Sequence, residues 1–275
     1  MPLSHTTAPA APVTGDYTFD SDSEEGAQQV QHLGHTLDGH TTAVLDRLGL
    51  VPGRRCLDQG AGAGSIAGWL AERVGPDGHV TAIDKTTRHI PAHQRITAIA
   101  GDINTLDLGT NLFDLVHARL LYMHLIQREQ VLARTVAALK PGGFLVISDW
   151  DTSRLDEMIV HAPAPVAEAF VAFQQALIGV GVSNGMDPHW ARRIPAAMAA
   201  AGLTGITATV FNQLWRGGEA GMLLHASNSR QLETPLLEFG LSREHLGVLR
   251  EAMHNPDVWA YHWPMYTAVG MRPAN

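Results

Sequence analysis

The sequence lacks several features that would define its class at once. It contains a single cysteine, Cys56, so no disulfide can form within the chain, which fits a reducing compartment. No apolar run approaches the roughly 18 residues that a membrane-spanning helix needs. No basic start followed by an apolar core indicates a secretory signal. We therefore expect a cytoplasmic protein.

Basic residues are also scarce, with 19 Lys and Arg against 27 Asp and Glu and a net charge of -8. Binding to nucleic acid or to an anionic membrane surface needs a cluster of cations, so we expect neither partner. Fifteen histidines are present, but Pro91 separates His89 from His93 and would disrupt a helix presenting both. We predict no metal site and a small-molecule partner, and the sequence leaves a homodimer open.

Strand and helix patterns alternate through the first half of the chain. After a helical pattern over 24–48, strands are predicted at 55–59, 79–84, 95–100, 113–118 and 144–150, with helices at 65–74 and 128–139. Such alternation indicates a parallel sheet with helices on both faces. Fully apolar strands suit a sheet that is covered on both sides.

The rhythm changes after Asp151. Helical patterns over 154–182, 190–201 and 219–254 surround a β-rich stretch at 205–215 and a strand at 266–271. We predict an α/β fold: a Rossmann-like, seven-stranded, mostly parallel sheet with helices on both faces and a helical lid. The expected organisation is a disordered tail at 1–15, a ligand-binding core with its N-terminal helix at 16–151, and the rest of the sheet plus the lid at 152–275 in the same domain.

Three glycines separate the first strand from the next helix. Gly60, Gly62 and Gly64 form Gly-x-Gly-x-Gly, which lets the backbone turn tightly and approach a ligand. The helix that follows directs its N–H groups and positive dipole end toward this turn. A dinucleotide fingerprint wants Gly-x-Gly-x-x-Gly, and the second interval here is one residue too short. A plain loop is the other reading of this turn.

Three acids follow the ends of successive strands. Asp84 ends the second strand and can accept both hydroxyls of a ribose. Asp102 follows the third strand, where a carboxylate can accept from an adenine amino group, and Asp58 precedes the glycine turn, within reach of an amine. A ligand with a ribose, an amine and a sulfonium suits three acids, whereas a pyrophosphate does not. The predicted ligand is therefore S-adenosyl-L-methionine.

The motifs together resemble the class I S-adenosylmethionine-dependent methyltransferase superfamily, of the actinobacterial small-molecule (natural-product) type. The resemblance rests on Leu-Asp-Gln-Gly-Ala-Gly-Ala-Gly at 57–64, Ala-Ile-Asp at 82–84, Gly-Asp-Ile at 101–103, Phe-Asp-Leu-Val-His-Ala-Arg at 113–119 and Leu-Lys-Pro-Gly-Gly-Phe-Leu-Val-Ile at 139–147. It covers roughly 17–151, and the C-terminal half matches only loosely.

The resemblance implies further cofactor contacts. Tyr17, in a Tyr-x-Phe-Asp opening, would close over the methionine end of the cofactor. His117 and Arg119 would line the cofactor near its methyl group. Lys85 and Ile103, next to Asp84 and Asp102, complete the candidate contacts.

Methyl transfer is an in-line displacement that depends on alignment of donor and acceptor, and a base is needed only when the acceptor loses a proton. The candidate catalytic residues are His124, Glu168 and Asp149. Each has a plainer alternative, namely a packed or surface histidine, a solvent-facing glutamate and a helix cap.

The lid supplies candidate contacts to the acceptor. These are Tyr122, Phe170, His225, Asn228 and Trp259, with Trp263 among further aromatic residues that either line an apolar pocket or form the lid core. The predicted function is methyl transfer to a small, partly apolar metabolite at oxygen, carbon or nitrogen, in secondary metabolism. Three alternatives remain: a cyclase or lyase on the same fold, a non-catalytic adenosylmethionine-binding protein, and an NAD-dependent reductase.

Overall fold

A computed structural model describes residues 24–155 and 158–274 of the chain. The predicted disordered tail at 1–15 and the candidate Tyr17 lie outside these residues. In chain order the strands are β1 (Arg55–Gln59), β2 (His79–Asp84), β3 (Ile96–Ala100), β4 (Phe113–Arg119), β5 (Leu139–Trp150), β6 (Ile159–His161), β7 (Thr204–Phe211), β8 (Leu214–Arg216), β9 (Trp259–Tyr261) and β10 (Met265–Met271).

Eight α-helices flank or cover these strands in the described parts of the chain. They are α1 (Glu24–Asp46), α2 (Ser65–Arg73), α3 (Arg128–Ala138), α4 (Ala164–Ser183), α5 (Trp190–Ala200), α6 (Ala220–Gln231), α7 (Glu233–Glu238) and α8 (Arg243–Ala252). A short 3₁₀ turn, Tyr122–His124, follows β4.

Seven strands form the main sheet in the order β3-β2-β1-β4-β5-β10-β7. The strands from β3 to β5 pair in parallel, and β10 runs antiparallel to both β5 and β7. The predicted seven-stranded, mostly parallel sheet is therefore confirmed. The carboxyl ends of β1 to β4 meet at one edge, which brings the glycine turn and the strand-end acids together.

Alternation along the strands separates two hydrophobic layers. Cys56 and Leu115 face one side, where they pack with residues of α1 and α2 such as Leu45 and Leu70. Leu57 on the next position faces the other side, in the core formed with α3 and α5. Because successive side chains of a strand point to opposite faces, this sheet is covered on both sides.

The Lys-Pro-Gly-Gly segment lies between the predicted helix at 128–139 and the predicted strand at 144–150, but β5 already begins at Leu139. Phe113 pairs with Leu139 and Leu115 with Phe144, so five steps on β5 match two steps on β4. The segment is therefore an irregular bulge within the strand. Lys140 Nζ is anchored 2.7 Å from Asp114 Oδ2 on β4.

The sequence analysis missed a second, three-stranded sheet with the order β6-β9-β8. Each of its strands is three residues long. β6 lies in a segment predicted as helical, β8 lies at the end of the predicted β-rich stretch, and β9 lies where no element was predicted. The lid is therefore mixed rather than purely helical.

Helix α4 corrects the expectation that no apolar run approaches the length of a membrane-spanning helix. Its 20 residues are long and apolar enough, by length and composition alone, to cross a membrane, and 44% of the 18-residue stretch that meets this criterion is buried inside the protein. Phe170 and Phe173 are fully buried, and the helix packs against α7 and α8. Burial of this apolar face within the protein explains the composition as that of a core helix.

Candidate functional site

The glycine turn after β1 has the backbone that its sequence predicts. Gly60, Gly62 and Gly64 have φ values of 67°, 55° and 75°, in the left-handed region that glycine adopts without strain. A Cβ on Gly64 would lie 3.0 Å from Ile90 Cγ2. The turn therefore forms a concave backbone surface, and any side chain at Gly64 would crowd Ile90 beside it.

Asp84 lies beside this turn, as predicted. Its Oδ2 accepts a hydrogen bond from the Gly62 N–H at 2.8 Å, and its Oδ1 accepts from the Thr86 N–H at 3.2 Å. Burial raises the pKa of this carboxyl, and the backbone hydrogen bonds oppose that rise. An ionised carboxylate has about four lone-pair sites, so Asp84 retains capacity for hydroxyl donors.

Asp58 and His117 form a buried pair on β1 and β4. Asp58 Oδ1 lies 2.7 Å from His117 Nδ1, and the two side chains are 3% and 2% exposed. Asp58 Oδ2 and His117 Nε2 are also buried, and neither has a hydrogen-bond partner among the described residues. Gln59 points to the opposite face, where its amide contacts Thr135 and Tyr122.

Arg119 is the next residue on the same face of β4, and helix α1 holds it. Its guanidinium donates to Thr41 Oγ1 and to Asp38 Oδ1, each at 2.8 Å. The structure therefore gives Arg119 a partner that the sequence analysis missed. Helix α1 also lies over the turn, since a Cβ on Gly62 would be 3.6 Å from Val30 Cγ1.

The remaining cofactor candidates differ in their surroundings. Asp102 is exposed just beyond β3, where its Oδ1 accepts hydrogen bonds from the Asn104 backbone and side chain at 2.9 Å. Lys85 is exposed after β2. Ile103 is buried in the main hydrophobic core.

A cavity of about 60 Å³ lies between α1, α4, α6 and the end of β5, and we call it the acceptor cavity. Its described lining residues are mostly apolar and include no Asp, Glu, Lys or Arg. They are Gln29, Leu33, Leu120, Met123, His124, Trp150, Thr152, Leu177, Ile178, Gly181, Met186, Leu224, Asn228 and Trp263.

Of the three catalytic candidates, only His124 lines the acceptor cavity. Burial, and then the nearby Arg128, lower the pKa of its imidazole to about 4. Asp149 is fully buried outside the cavity lining, and its Oδ2 accepts a hydrogen bond from the Met123 N–H at 3.2 Å. Glu168 is exposed on α4 and does not line the cavity either.

Of the five acceptor candidates, only Asn228 lines the cavity. Tyr122 is fully buried on the opposite face of the sheet, where its hydroxyl donates to Gln59 Oε1 at 3.1 Å. Phe170 packs in the core of α4. Trp259 belongs to the small sheet, and its indole donates to Pro256 O at 2.9 Å. These three side chains do not line the cavity, and strand and helix patterns do not specify which side chains face one.

His225 lies behind the cavity wall in a column of stacked rings. Its ring centroid is 4.7 Å from that of His262, which lies 4.6 Å from the ring of Trp150. Burial lowers the pKa of His225 to about 3, and burial together with the nearby His225 lowers the pKa of His262 well below its usual value. Both imidazoles are therefore neutral near pH 7 and serve as packed rings.

The sequence analysis missed Gln29 and Thr152 as cavity residues. Gln29 Nε2 donates to Asn228 Oδ1 at 2.9 Å across the gap between α1 and α6. Thr152 is the second residue after the end of β5, so the strand-end rule that identified the acids also applies to it.

Comparisons with known proteins agree with this geometry. Residues 50–178 match the model of a family described as a methyltransferase domain. Methyltransferase str3 of Strobilurus tenacellus is 28% identical over 179 residues, covering 63% of this chain and 61% of that protein. An uncharacterized 37.1 kDa protein in transposon TN4556 of Streptomyces fradiae is 33% identical over 126 residues, covering 42% and 36% of the two chains.

Two solved structures share the fold. A methyltransferase structure from Bacillus halodurans aligns with a TM-score of 0.54 at 15% identity, covering 84% of this chain and 98% of that one. Haemonchus contortus phosphoethanolamine N-methyltransferase 2, in complex with S-adenosyl-L-methionine, aligns with a TM-score of 0.57 at 17% identity, covering 92% and 58%.

The sheet order, the glycine turn and the matched domain are consistent with one another. Over residues 50–178 the chain is similar to a methyltransferase domain, and its sheet has the fold of the two solved structures. The chain spans 36% to 61% of the lengths of the first curated relatives that it matches.

Proposed function

We propose that this protein binds S-adenosyl-L-methionine and transfers its methyl group to a small, partly apolar metabolite at oxygen, carbon or nitrogen. The observation that carries the proposal is the left-handed glycine turn held by Asp84, with Gly62 N 2.8 Å from Asp84 Oδ2. This turn lies at the sheet edge where β1, β2 and β4 end, beside two buried polar atoms that lack partners among the described residues.

The residues present fit this cofactor. Asp84 has acceptor sites left for ribose hydroxyls, and Asp102 offers an exposed carboxylate for an adenine amino group. The unpaired Asp58 Oδ2 suits an ammonium group, which removes the cost of leaving a buried carboxylate oxygen unsatisfied. When bound, S-adenosylmethionine supplies an electrophilic methyl group on its sulfonium.

In this proposal the acceptor cavity positions the methyl acceptor for the reaction. Its apolar walls exclude water and hold an acceptor in one orientation, and such positioning accelerates a displacement by fixing distance and angle. His124 is the only described titratable residue on these walls, and its lowered pKa makes it a weak base near pH 7. Positioning therefore contributes more than proton transfer in this proposal.

An uncharged acceptor is favoured over a charged one. The phosphoethanolamine N-methyltransferase from Haemonchus contortus, solved with phosphomonomethylethanolamine, is one of the fold relatives. A phosphate and an amine transferred from water into an apolar cavity need charged partners. The described lining residues supply none, so we propose that the acceptor is a neutral metabolite. We further propose that the reaction belongs to secondary metabolism and takes place in the cytoplasm.

Calorimetric titration with S-adenosylmethionine and with NAD tests the cofactor. We expect binding of the former only. We expect Asp84→Asn to weaken binding about tenfold or more, because it removes charge-assisted hydrogen bonds to the ribose. Asp77→Asn, at an exposed turn, is the matched control and should bind as the wild type does.

A second variant keeps this test independent of charge. Gly62→Val places a β-branched residue at φ 55° and brings its Cβ near Val30, and we expect it to abolish binding. Unchanged affinity in both variants, or tight binding of NAD alone, would contradict the cofactor assignment.

Transfer of a tritiated methyl group to candidate metabolites separates a methyltransferase from the two alternatives that share the fold. A cyclase or lyase would convert its substrate without incorporating label. A binding protein would do neither. Incorporation that depends on Asp84 is the expected result.

A further inference from the structure

Two polar groups on the wall of the acceptor cavity have no hydrogen-bond partner in the described chain. They are the Thr152 hydroxyl and the Trp263 indole N–H. The two residues are 3% and 4% exposed. Buried polar groups in native proteins are nearly always paired, so two unsatisfied ones on residues that line the same cavity are groups that a ligand in the cavity would pair.

The chemistry of these two groups restricts that ligand. An indole N–H can only donate, and a threonine hydroxyl can donate as well as accept. The wall also carries His124 and the Gln29–Asn228 amide pair, in which Gln29 Nε2 donates to Asn228 Oδ1 at 2.9 Å. A ligand that satisfies Trp263 must therefore present an acceptor atom.

The position of the Trp263 indole is fixed by its neighbours. Its ring centroid is 4.7 Å from that of His262 and 5.4 Å from that of His225, both at 82°. Trp150, which also lines the cavity, lies 5.0 Å away. The N–H donor is thus held in one direction before any ligand binds, and preorganisation reduces the cost of binding.

The cavity also restricts the charge and the size of the ligand. Its described lining residues include no charged side chain, and the imidazole of His124 is neutral near pH 7. A volume of about 60 Å³ holds a few water-sized groups. It therefore receives the reacting end of the acceptor and not a large molecule as a whole.

We propose that the acceptor carries an uncharged phenolic or carbonyl oxygen, which accepts hydrogen bonds from the Trp263 indole N–H and the Thr152 hydroxyl inside the acceptor cavity. This inference rests on the proposed methyltransferase function and narrows its substrate class. Trp263 and Thr152 become specificity-determining residues.

Binding of two matched probe pairs to the protein loaded with S-adenosylhomocysteine tests the inference. Phenol is compared with toluene, and cyclohexanone with methylenecyclohexane, so that each pair differs in one oxygen. We expect an oxygen-bearing probe to bind about tenfold tighter than its hydrocarbon partner. It should also shift the Trp263 indole N–H resonance downfield in a ¹⁵N spectrum. Preference within the first pair alone assigns a phenolic oxygen, and preference within the second alone assigns a carbonyl.

Variants locate the effect. Trp263→Phe keeps the aromatic ring without the donor, and we expect it to abolish the oxygen preference while toluene binds as before. Thr152→Val serves as the second variant and should reduce the same preference. Trp259→Phe is the control, because its indole donates to Pro256 O outside the cavity, and it should retain the full preference.

Equal affinity within both probe pairs, or an unmoved Trp263 resonance when the oxygen probes bind, would overturn the inference. Calorimetry with S-adenosylmethionine on the same samples separates the two levels. Retained cofactor binding without oxygen preference rejects only the acceptor class, whereas absent cofactor binding rejects the methyltransferase proposal itself.

Discussion

Among single side chains, Asp149 has an unusual environment, because it is fully buried at the end of β5. Burial raises its pKa to about 8, although hydrogen bonds from the Met123 and Leu121 backbone and from the Trp190 side chain oppose that rise. The carboxyl is therefore mainly protonated at pH 7 and anchors the 3₁₀ turn that carries Met123 and His124 to the cavity.

This raised pKa makes stability depend on pH. The folded protein holds the Asp149 proton between about pH 4 and pH 8 and the unfolded chain does not, so the contribution is fully present below about pH 4. It is lost as pH rises toward 8, at up to about 1.4 kcal/mol per unit. Asp149→Asn should remove this dependence.

Urea unfolding of wild type and Asp149→Asn at pH 5 and pH 7.5 measures the difference. We expect the variant to gain stability relative to wild type at the higher pH, because an amide cannot ionise. Asp77→Asn, which is exposed, should follow the wild type at both values. Parallel pH profiles for wild type and Asp149→Asn would show that the carboxyl is ionised in the folded state.

At the scale of elements, replacing either of two glycines with alanine should change the free energy of unfolding in opposite directions. Gly39 lies within α1, and a Cβ there would meet no atom within 4 Å. Gly143 lies in the bulge of β5, where a Cβ would be 2.9 Å from Lys140 O and 3.0 Å from Phe113 O. Backbone atoms cannot move aside as a flexible side chain can.

We expect Gly39→Ala to raise the free energy of unfolding by about 0.5 to 1 kcal/mol, since alanine restricts the unfolded chain and favours a helix. Gly143→Ala should lower it, by about 1 to 3 kcal/mol, because the bulge must distort. Chemical denaturation of both variants checks this. A stabilising Gly143→Ala would mean that the bulge is not tightly packed.

At the scale of the whole molecule, α1 connects three separate parts. Asp38 and Thr41 bind Arg119 on β4, His40 Nε2 lies 2.9 Å from Thr267 Oγ1 on β10, and Gln29 donates to Asn228 on α6. The helix thus covers the glycine turn and one wall of the acceptor cavity at once.

If the proposed cofactor binds beneath α1, amide hydrogen exchange in this helix should slow on addition of S-adenosylhomocysteine. Helix α6 should respond with it, since the two helices pack together. Helix α3, on the opposite face of the sheet, serves as the internal reference and should change least. Unaltered exchange in α1 at saturating ligand would contradict a binding site beneath it.

The parts of this molecule that sequence predicted share one physical basis. Strands β1 to β5 and helices α2, α3 and α5 have strong local periodicity, and the strand-end acids follow from parallel topology. The three strands of the small sheet are too short for a period-two signal, and β6 and β9 pair across a sequence separation of about 100 residues.

Side-chain direction was the harder problem. Glu168 and Trp259 belong to the segment 152–275 that contains the lid, yet neither lines the acceptor cavity. Thr152 and Gln29 reach it only because the end of β5 and helix α1 meet there. Such convergence depends on tertiary packing, which local patterns do not encode.

The position of β10 between β5 and the edge strand β7 has a consequence for how the chain reaches this fold. Among the described residues β7 pairs in the main sheet only with β10, and its residues are mostly exposed, with Val210 57% exposed. Residues 204–211 therefore have no strand partner until 265–271 arrive, more than 50 residues later in the chain. A β-rich segment with free N–H and C=O groups is a template for intermolecular pairing. The yield of folded protein should therefore depend on how quickly β7 pairs with β10. A high protein concentration during refolding should favour aggregation through unpaired β7.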